Sequence, residues 1–294
     1  MSLSVQIGLL LALATAFSSV LGFLYKHRGA VESPAVSMRR PVRSSLALFR
    51  SRWYVLGIGI AMGSWGLHVG ALALAPISLV QSVIAGGLVL LTVTADRLFA
   101  HRVTRREWIG VGLAALGLAF LAATLEGAGD SAHSDYDAGT LTAWILALVA
   151  LAVAVAVAAR GTPRAGVLYG ASAGLLWAAS DTSIKALSGQ LGDSSALEIL
   201  TDPLAGVIAL ASFAGLVVSA RSLQIGKAVP VIAVTSVAAN VFTIAAGPIV
   251  FNEPVPDDAL GLMVRILAFA LVISAAALTP APVAAAELEV EAEA

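Results

Sequence analysis

The chain contains no cysteine and very little charge. None of its 294 residues is Cys, which excludes disulfides, thiolate nucleophiles and cysteine metal sites. Charged residues make up 12% of the chain against 59% hydrophobic ones, with a mean hydropathy of +0.93, too apolar for a soluble surface. No P-loop or H-E-x-x-H motif is present. We expect a protein of the lipid bilayer that is not an enzyme, needs no cofactor and binds no nucleic acid.

Long apolar stretches fill most of the sequence. A helix needs about 20 apolar residues to cross a hydrocarbon core of roughly 30 Å. Nine stretches come near that length, and Ala75-Pro76 divides the second from the third, because proline interrupts a helix. The pattern predicts an all-α polytopic membrane helix bundle with about nine transmembrane helices. The stretches are 3–24, 53–75, 77–95, 107–125, 141–159, 165–187, 203–220, 228–250 and 259–279.

Charge alternates between successive gaps. Of the 17 Lys and Arg, 15 lie in four gaps, and the three gaps that follow the last three of these hold ten Asp or Glu and no Lys or Arg. Positively charged loops stay on the cytoplasmic side. We therefore expect a plasma-membrane protein, with its N-terminus outside and its C-terminus in the cytoplasm, and the excess of Arg (14) over Lys (3) favours a bacterial source. The basic gaps are 25–52, 96–106, 160–164 and 221–227; the acidic ones are 126–140, 188–202 and 251–258.

Two segments, 72–80 and 223–231, share a pattern of small and apolar residues. Each precedes a span, an acidic residue and a further span, which predicts two repeats. These are a first unit, residues 1–125 with the cytoplasmic loop 25–52, and a second unit, residues 165–279. The outer loop and linking span, 126–164, add one crossing and invert the second unit, and 280–294 reads as an acidic disordered tail. Inverted repeats are typical of secondary transporters, whose site lies between the halves.

Three runs carry a family resemblance: ALALAPISLVQSV from residue 71, DRLFAHRVTRREWIGVGLAALGLAFL from 96 and FNEPVPDDALGLMVRILAFALVISAA from 251. They resemble the drug/metabolite transporter (DMT) superfamily of the EamA-like kind. Trp53, the Ala75-Pro76 turn and the run 169–185 resemble its nine-span NIPA-type branch, many of whose members are described as magnesium transporters. That branch has a Gly-Glu pair in the second span. Aligned on Ala75-Pro76, its glutamate falls at Ser64 or Trp65 of this chain, and the span lacks the carboxylate that a hard divalent cation favours.

Charged residues inside the spans are expensive, at about 2.5–3.5 kcal/mol each near a helix centre. Asp181 and Lys185 lie one turn apart, so they form an i,i+4 ion pair, or Asp181 faces a central cavity and binds a cation, a proton or a substrate amine. Arg265 snorkels outward, partners Asp181 or binds an anionic substrate.

Five further intramembrane residues are candidates for substrate binding. His68 is a packing residue or a proton relay. Gln81 and Asn240 occupy comparable places in the two units and serve interhelical hydrogen bonds or substrate contact. Trp65 and Trp177 pack in the bundle or close over a substrate.

Small residues four apart predict close helix packing. Gly170, Ser172 and Gly174 also match the G-x-S-x-G nucleophile motif, which requires a strand-to-helix turn rather than a helix. We therefore interpret these residues as packing residues. The predicted packing positions are Gly166, Gly170 and Gly174 on the sixth span, with Gly59, Gly63, Gly66 and Gly70 on the second.

Three functions are consistent with the sequence. The first is a secondary transporter of a small metabolite by alternating access, and the second is a NIPA-like Mg²⁺ transporter. The third is a non-transporting scaffold that docks partners through residues 25–52 and the tail. A carrier requires a polar cavity, which His68, Gln81, Asp181 and Asn240 would line. The expected partners are the lipid bilayer and a small-molecule or ion substrate, and the sequence is also compatible with a homodimer.

Overall fold

A helix covers every predicted apolar stretch in the described part of the chain. The computed structural model describes residues 1–31, 49–86, 105–124, 131–191, 194–225 and 228–278, and within them it contains no β-strand. The predicted helical bundle is confirmed to that extent. The helices are α1 (Leu3–Val31), α2 (Arg52–Leu74), α3 (Ile77–Gly86), α4 (Arg105–Ala123), α5 (Ala138–Ala158), α6 (Ala165–Ser188), α7 (Ala196–Thr201), α8 (Pro203–Ile225), α9 (Ala228–Val250) and α10 (Ala259–Leu278).

Among the described residues, two helices, α2 and α5, are long and apolar enough to cross a membrane. The apolar stretches of other helices there are 10 to 17 residues long, so the number of crossings stays a prediction. Most of the predicted cytoplasmic loop, residues 32–48, and the acidic tail 280–294 lie outside the described residues.

Helix α6 lies at the centre of the bundle. It packs against α2, α5, α8 and α9, and nearly every residue of its second half is buried. Small residues permit this approach: a side chain at Gly170 would meet the Thr235 hydroxyl at 2.8 Å, and one at Gly174 would meet the Thr235 carbonyl. The Gly166 carbonyl accepts a hydrogen bond from Ser222 at 2.7 Å. The predicted packing along this face is therefore confirmed.

The glycines of α2 behave differently. Among the described residues, a side chain at Gly59, Gly63 or Gly66 would meet no atom within 4 Å, whereas one at Gly70 would meet Leu11 of α1. Within that part of the chain, the packing prediction is wrong for the first three positions. The α1 contact instead uses Gly8, which lies against the end of α2, and Ser64, whose hydroxyl donates to the Thr15 carbonyl at 3.1 Å.

Two helices begin within the predicted outer loops, each with an exposed acidic side chain that takes part in its N-terminal cap. Asp137 precedes α5 and accepts hydrogen bonds from the Thr140 backbone N–H at 2.8 Å and the Thr140 hydroxyl at 3.1 Å. These bonds lower the pKa of the Asp137 carboxyl. Ser195 and Glu198 form a capping box at the start of α7, a short helix that the apolar pattern does not predict, and hydrogen bonds from Ser195 lower the pKa of Glu198.

Candidate functional site

Three of the predicted site residues meet at one carboxylate. Asp181, on the central helix α6, places its Oδ1 atom 3.3 Å from His68 Nε2 on α2. Its other oxygen, Oδ2, accepts a hydrogen bond from Gln81 Nε2 on α3 at 3.1 Å. We call these three residues the Asp181 cluster. It joins the first predicted unit, which supplies His68 and Gln81, to the second, which supplies Asp181.

The cluster is enclosed but not sealed. Asp181 keeps 23% of its side-chain surface exposed, against 11% for His68, so the surrounding protein does not fully cover the carboxylate. His68 Nδ1 is buried and has no hydrogen-bond partner among the described residues. An imidazole can donate or accept at either nitrogen and exchanges protons readily. The arrangement can therefore bind a cationic group at Asp181 and rearrange the hydrogen bonds around it.

Lys185 does not pair with Asp181, so the predicted i,i+4 ion pair is wrong. The lysine is fully buried, and its ammonium donates to three backbone carbonyls: Leu72 at 2.7 Å, Ala75 at 3.0 Å and Ala132 at 2.6 Å. An ammonium has three donors, and these carbonyls engage all of them. Asp181 contacts His68 and Gln81 instead.

Arg265 neither snorkels outward nor partners Asp181. Its side chain is buried, with Nε donating to the Thr124 hydroxyl at 3.3 Å and one terminal nitrogen to the Pro254 carbonyl at 2.5 Å. It also interacts electrostatically with Glu253. Arg265 thus ties α10 to α4 and to the preceding loop, and its predicted role in binding an anionic substrate remains a prediction.

The sequence did not single out Glu253 as a site residue. This carboxylate is buried in the loop between α9 and α10, where it accepts hydrogen bonds from the backbone N–H and the hydroxyl of Ser78 and from the backbone N–H of Ile77. The Ala75-Pro76 break could have indicated it. The break leaves two helix ends with unpaired backbone groups, and buried charged side chains are expected to pair with them.

The remaining candidates lie around the centre of the bundle. Asn240 is buried on α9, which packs along α6. Trp177 packs against α8, since a side chain at Gly215 would meet its indole nitrogen at 2.7 Å, which agrees with the packing interpretation. Trp65 is 46% exposed. Ser172 is buried and donates to the Ala152 carbonyl at 2.9 Å, as expected for a helix packing residue.

The described residues contain no group of three or more His, Cys, Asp or Glu side chains that could hold a metal ion. Asp181 is the one carboxylate of the Asp181 cluster. A cation bound there would take one carboxylate ligand, with water or its own hydrogen-bonding groups completing its shell.

Comparison with known proteins adds one relative. The chain is 23% identical over 282 residues to a protein of Arabidopsis thaliana named probable magnesium transporter NIPA9, and the alignment covers 90% of this chain and 78% of the relative. No protein-family model matches the chain, and no solved structure matches it. The similarity runs along nearly the whole sequence and supports the resemblance to NIPA-type transporters.

Proposed function

We propose that this chain is a membrane transporter for a small cationic solute, which binds at Asp181 with His68 and Gln81 beside it. The observation that carries the proposal is the Asp181 cluster, where a partly exposed carboxylate on the central helix α6 accepts a hydrogen bond from Gln81 of α3 and lies 3.3 Å from His68 Nε2 of α2. A charged residue near the centre of a span costs about 2.5–3.5 kcal/mol. A bound cationic cargo would offset that cost. A non-transporting scaffold does not require a charged residue at this position.

The transport mechanism in this proposal is alternating access between two inverted units, 1–125 and 165–279. The alternation of basic and acidic gaps supports nine crossings, as does the presence of a helix in the described part of each apolar stretch. Nine crossings put the two termini on opposite faces, and the basic gaps put the N-terminus outside and the C-terminus in the cytoplasm. Tags on the two termini should therefore be accessible from opposite faces of the membrane, and detection on the same face would contradict the inverted arrangement.

The first cargo we propose is a metabolite with an amine, because one carboxylate and one side-chain amide match a single ammonium group. The second is Mg²⁺, which the name of the plant relative favours. Mg²⁺ keeps several waters and is bound through one or two carboxylates, so Asp181 would serve as its contact. The ligand set within the described residues makes Mg²⁺ the second candidate.

Uptake into proteoliposomes distinguishes these cargoes. Purified protein would be reconstituted and supplied in turn with labelled amines, amino acids and Mg²⁺, with protein-free liposomes as the control. Accumulation of an amine supports the first cargo, and accumulation of Mg²⁺ alone supports the second. If no cationic solute accumulates above the control under any imposed ion gradient, the transporter proposal is wrong and the non-transporting scaffold becomes the better interpretation.

A further inference from the structure

The break between α2 and α3 leaves backbone groups that need partners. Pro76 has no N–H, so it cannot donate to the Leu72 carbonyl four residues earlier, as a helical residue would. The first N–H groups of α3, on Ile77 and Ser78, likewise lack an intrahelical acceptor. In a bilayer such groups must be paired within the protein. The second half of the chain supplies both partners.

Lys185 pairs the end of α2. Its ammonium binds the carbonyls of Leu72 and Ala75, and a third carbonyl, that of Ala132, comes from the segment before α5. A positive charge is favourable at a helix C-terminus, where the carbonyls form the negative end of the helix dipole. Lys185 therefore satisfies the acceptor that Pro76 leaves open and attaches α6 to the end of α2.

Glu253 pairs the start of α3. Its carboxylate binds the N–H groups of Ile77 and Ser78 and the Ser78 hydroxyl, and a negative charge is favourable at a helix N-terminus. It lies against Gly247, where any larger side chain would collide with the carboxylate. Glu253 and Lys185 also attract each other. We call these two side chains, with the helix ends they bind, the Lys185–Glu253 clasp.

The clasp lies at one end of the Asp181 cluster. Lys185 is one helical turn beyond Asp181 on α6, Gln81 is about one turn beyond the start of α3, and His68 is about two turns before the end of α2. We propose that the clasp is a gate: it closes this end of the Asp181 cluster, and solute passes here when the Glu253 loop leaves the start of α3. This inference rests on the proposed transport function.

A charged contact suits a gate that must open. Apolar packing loses its stabilisation when water enters, whereas buried ions regain their hydration, and this offsets much of the lost attraction. Lys185 and Glu253 also differ in the secondary structure that holds them. Lys185 extends from the most buried helix, while Glu253 lies in the loop 251–258, beside Asn252 at a φ of 50°. In the proposed gate the loop is the part that moves, and opening also requires Arg265 to release the Pro254 carbonyl.

Single cysteines test the gate without background, because the chain has none of its own. Ser82→Cys places a thiol at a fully buried position one turn below Ser78. Ser172→Cys places a matched thiol at a buried position in the first half of α6. The rate of modification by a small charged methanethiosulfonate would be measured for each in purified, reconstituted protein, with and without Glu253→Gln. Labelling follows the population of the open form when opening is fast.

We expect Glu253→Gln to raise the labelling rate of Ser82→Cys about tenfold, equivalent to about 1.4 kcal/mol in the opening equilibrium, and to leave Ser172→Cys within about twofold. Asp257→Asn, an exposed change in the same loop, should alter neither rate. Ser78→Ala, which removes one ligand of Glu253 and keeps both charges, should give a smaller rise at Ser82→Cys, and it serves as the test if Glu253→Gln does not fold.

Equal acceleration at both cysteines would show general loosening of the bundle, and an unchanged rate at Ser82→Cys would show that the clasp does not control access. Either result overturns the gate. These rates need no cargo, so they are independent of the transport assay. A protein that transports through Asp181 with unchanged labelling loses only the gate, and a protein that transports nothing loses the proposed function whatever its labelling rates.

Discussion

Replacing Lys185 with methionine removes the ammonium and keeps a side chain of similar length. Three carbonyls then lose a charged donor in a buried site, and Glu253 loses an attracting charge. A hydrogen bond to a charged group contributes about 1.5–3 kcal/mol, but the three share one ammonium and do not add. Breaking a buried charged arrangement from one side costs about 3–5 kcal/mol. We expect Lys185→Met to lower the free energy of unfolding by that amount.

The double variant, Lys185→Met with Glu253→Gln, separates the attraction between the two charges from the loss of the hydrogen bonds that Lys185 donates. Because the second change removes the uncompensated carboxylate, the double loss should be smaller than the sum of the single losses, by about 1–3 kcal/mol. The free energy would be measured by reversible unfolding in mixed detergent micelles. Arg160→Met, at an exposed position outside the helices, is the control and should stay within about 0.5 kcal/mol of the parent.

Two results would refute this reasoning. If Lys185→Met is as stable as the parent, the three carbonyl contacts do not hold the end of α2. If the single losses add fully in the double variant, Lys185 and Glu253 act independently and do not form one clasp.

Two matched pairs test the packing around α6. Gly174→Ala should lower the free energy of unfolding by about 1–3 kcal/mol, because the new methyl would meet backbone atoms of α9. Gly66→Ala, whose methyl would meet no atom of the described residues, should be neutral or stabilising by up to ~1 kcal/mol. Equal effects would contradict the α6–α9 contact. Trp177→Ala should lower the free energy of unfolding by about 3 kcal/mol, the low end of the range for a core tryptophan, because the half-buried Trp177 leaves a space beside Gly215. Trp65→Ala, at 46% exposure, should lower it by less than ~1 kcal/mol. The reverse order in thermal unfolding would contradict these placements.

The long helices could be predicted from the sequence because their apolar length indicates them, whereas the short helix α7 could not. Each predicted stretch overlaps a described helix, and the Ala75-Pro76 break lies where proline interrupts the helix. The residues at which the helices end were less predictable. Helix α1 continues to Val31 and α8 to Ile225, into polar residues that the apolar criterion excludes although they can remain helical.

The site was predictable only in part. The cost of burying polar groups selected Asp181, His68 and Gln81, and the structure brings these together. The same reasoning assigned Lys185 to the wrong partner, because spacing on one helix takes no account of acceptors on other helices. Carbonyls freed by Pro76 lie on α2, 110 or more residues away in sequence, and only the folded chain shows that they meet Lys185.

The most direct measurement is cargo uptake by Asp181→Asn in proteoliposomes, using whichever cationic solute the parent protein accumulates. Asparagine keeps the size of the side chain and the acceptor for one hydrogen bond but removes the charge. The account predicts that uptake falls to the level of protein-free liposomes, while Asp257→Asn in the exposed loop transports like the parent. Parental uptake by a folded Asp181→Asn protein would contradict the assignment of Asp181 as the cation-binding residue.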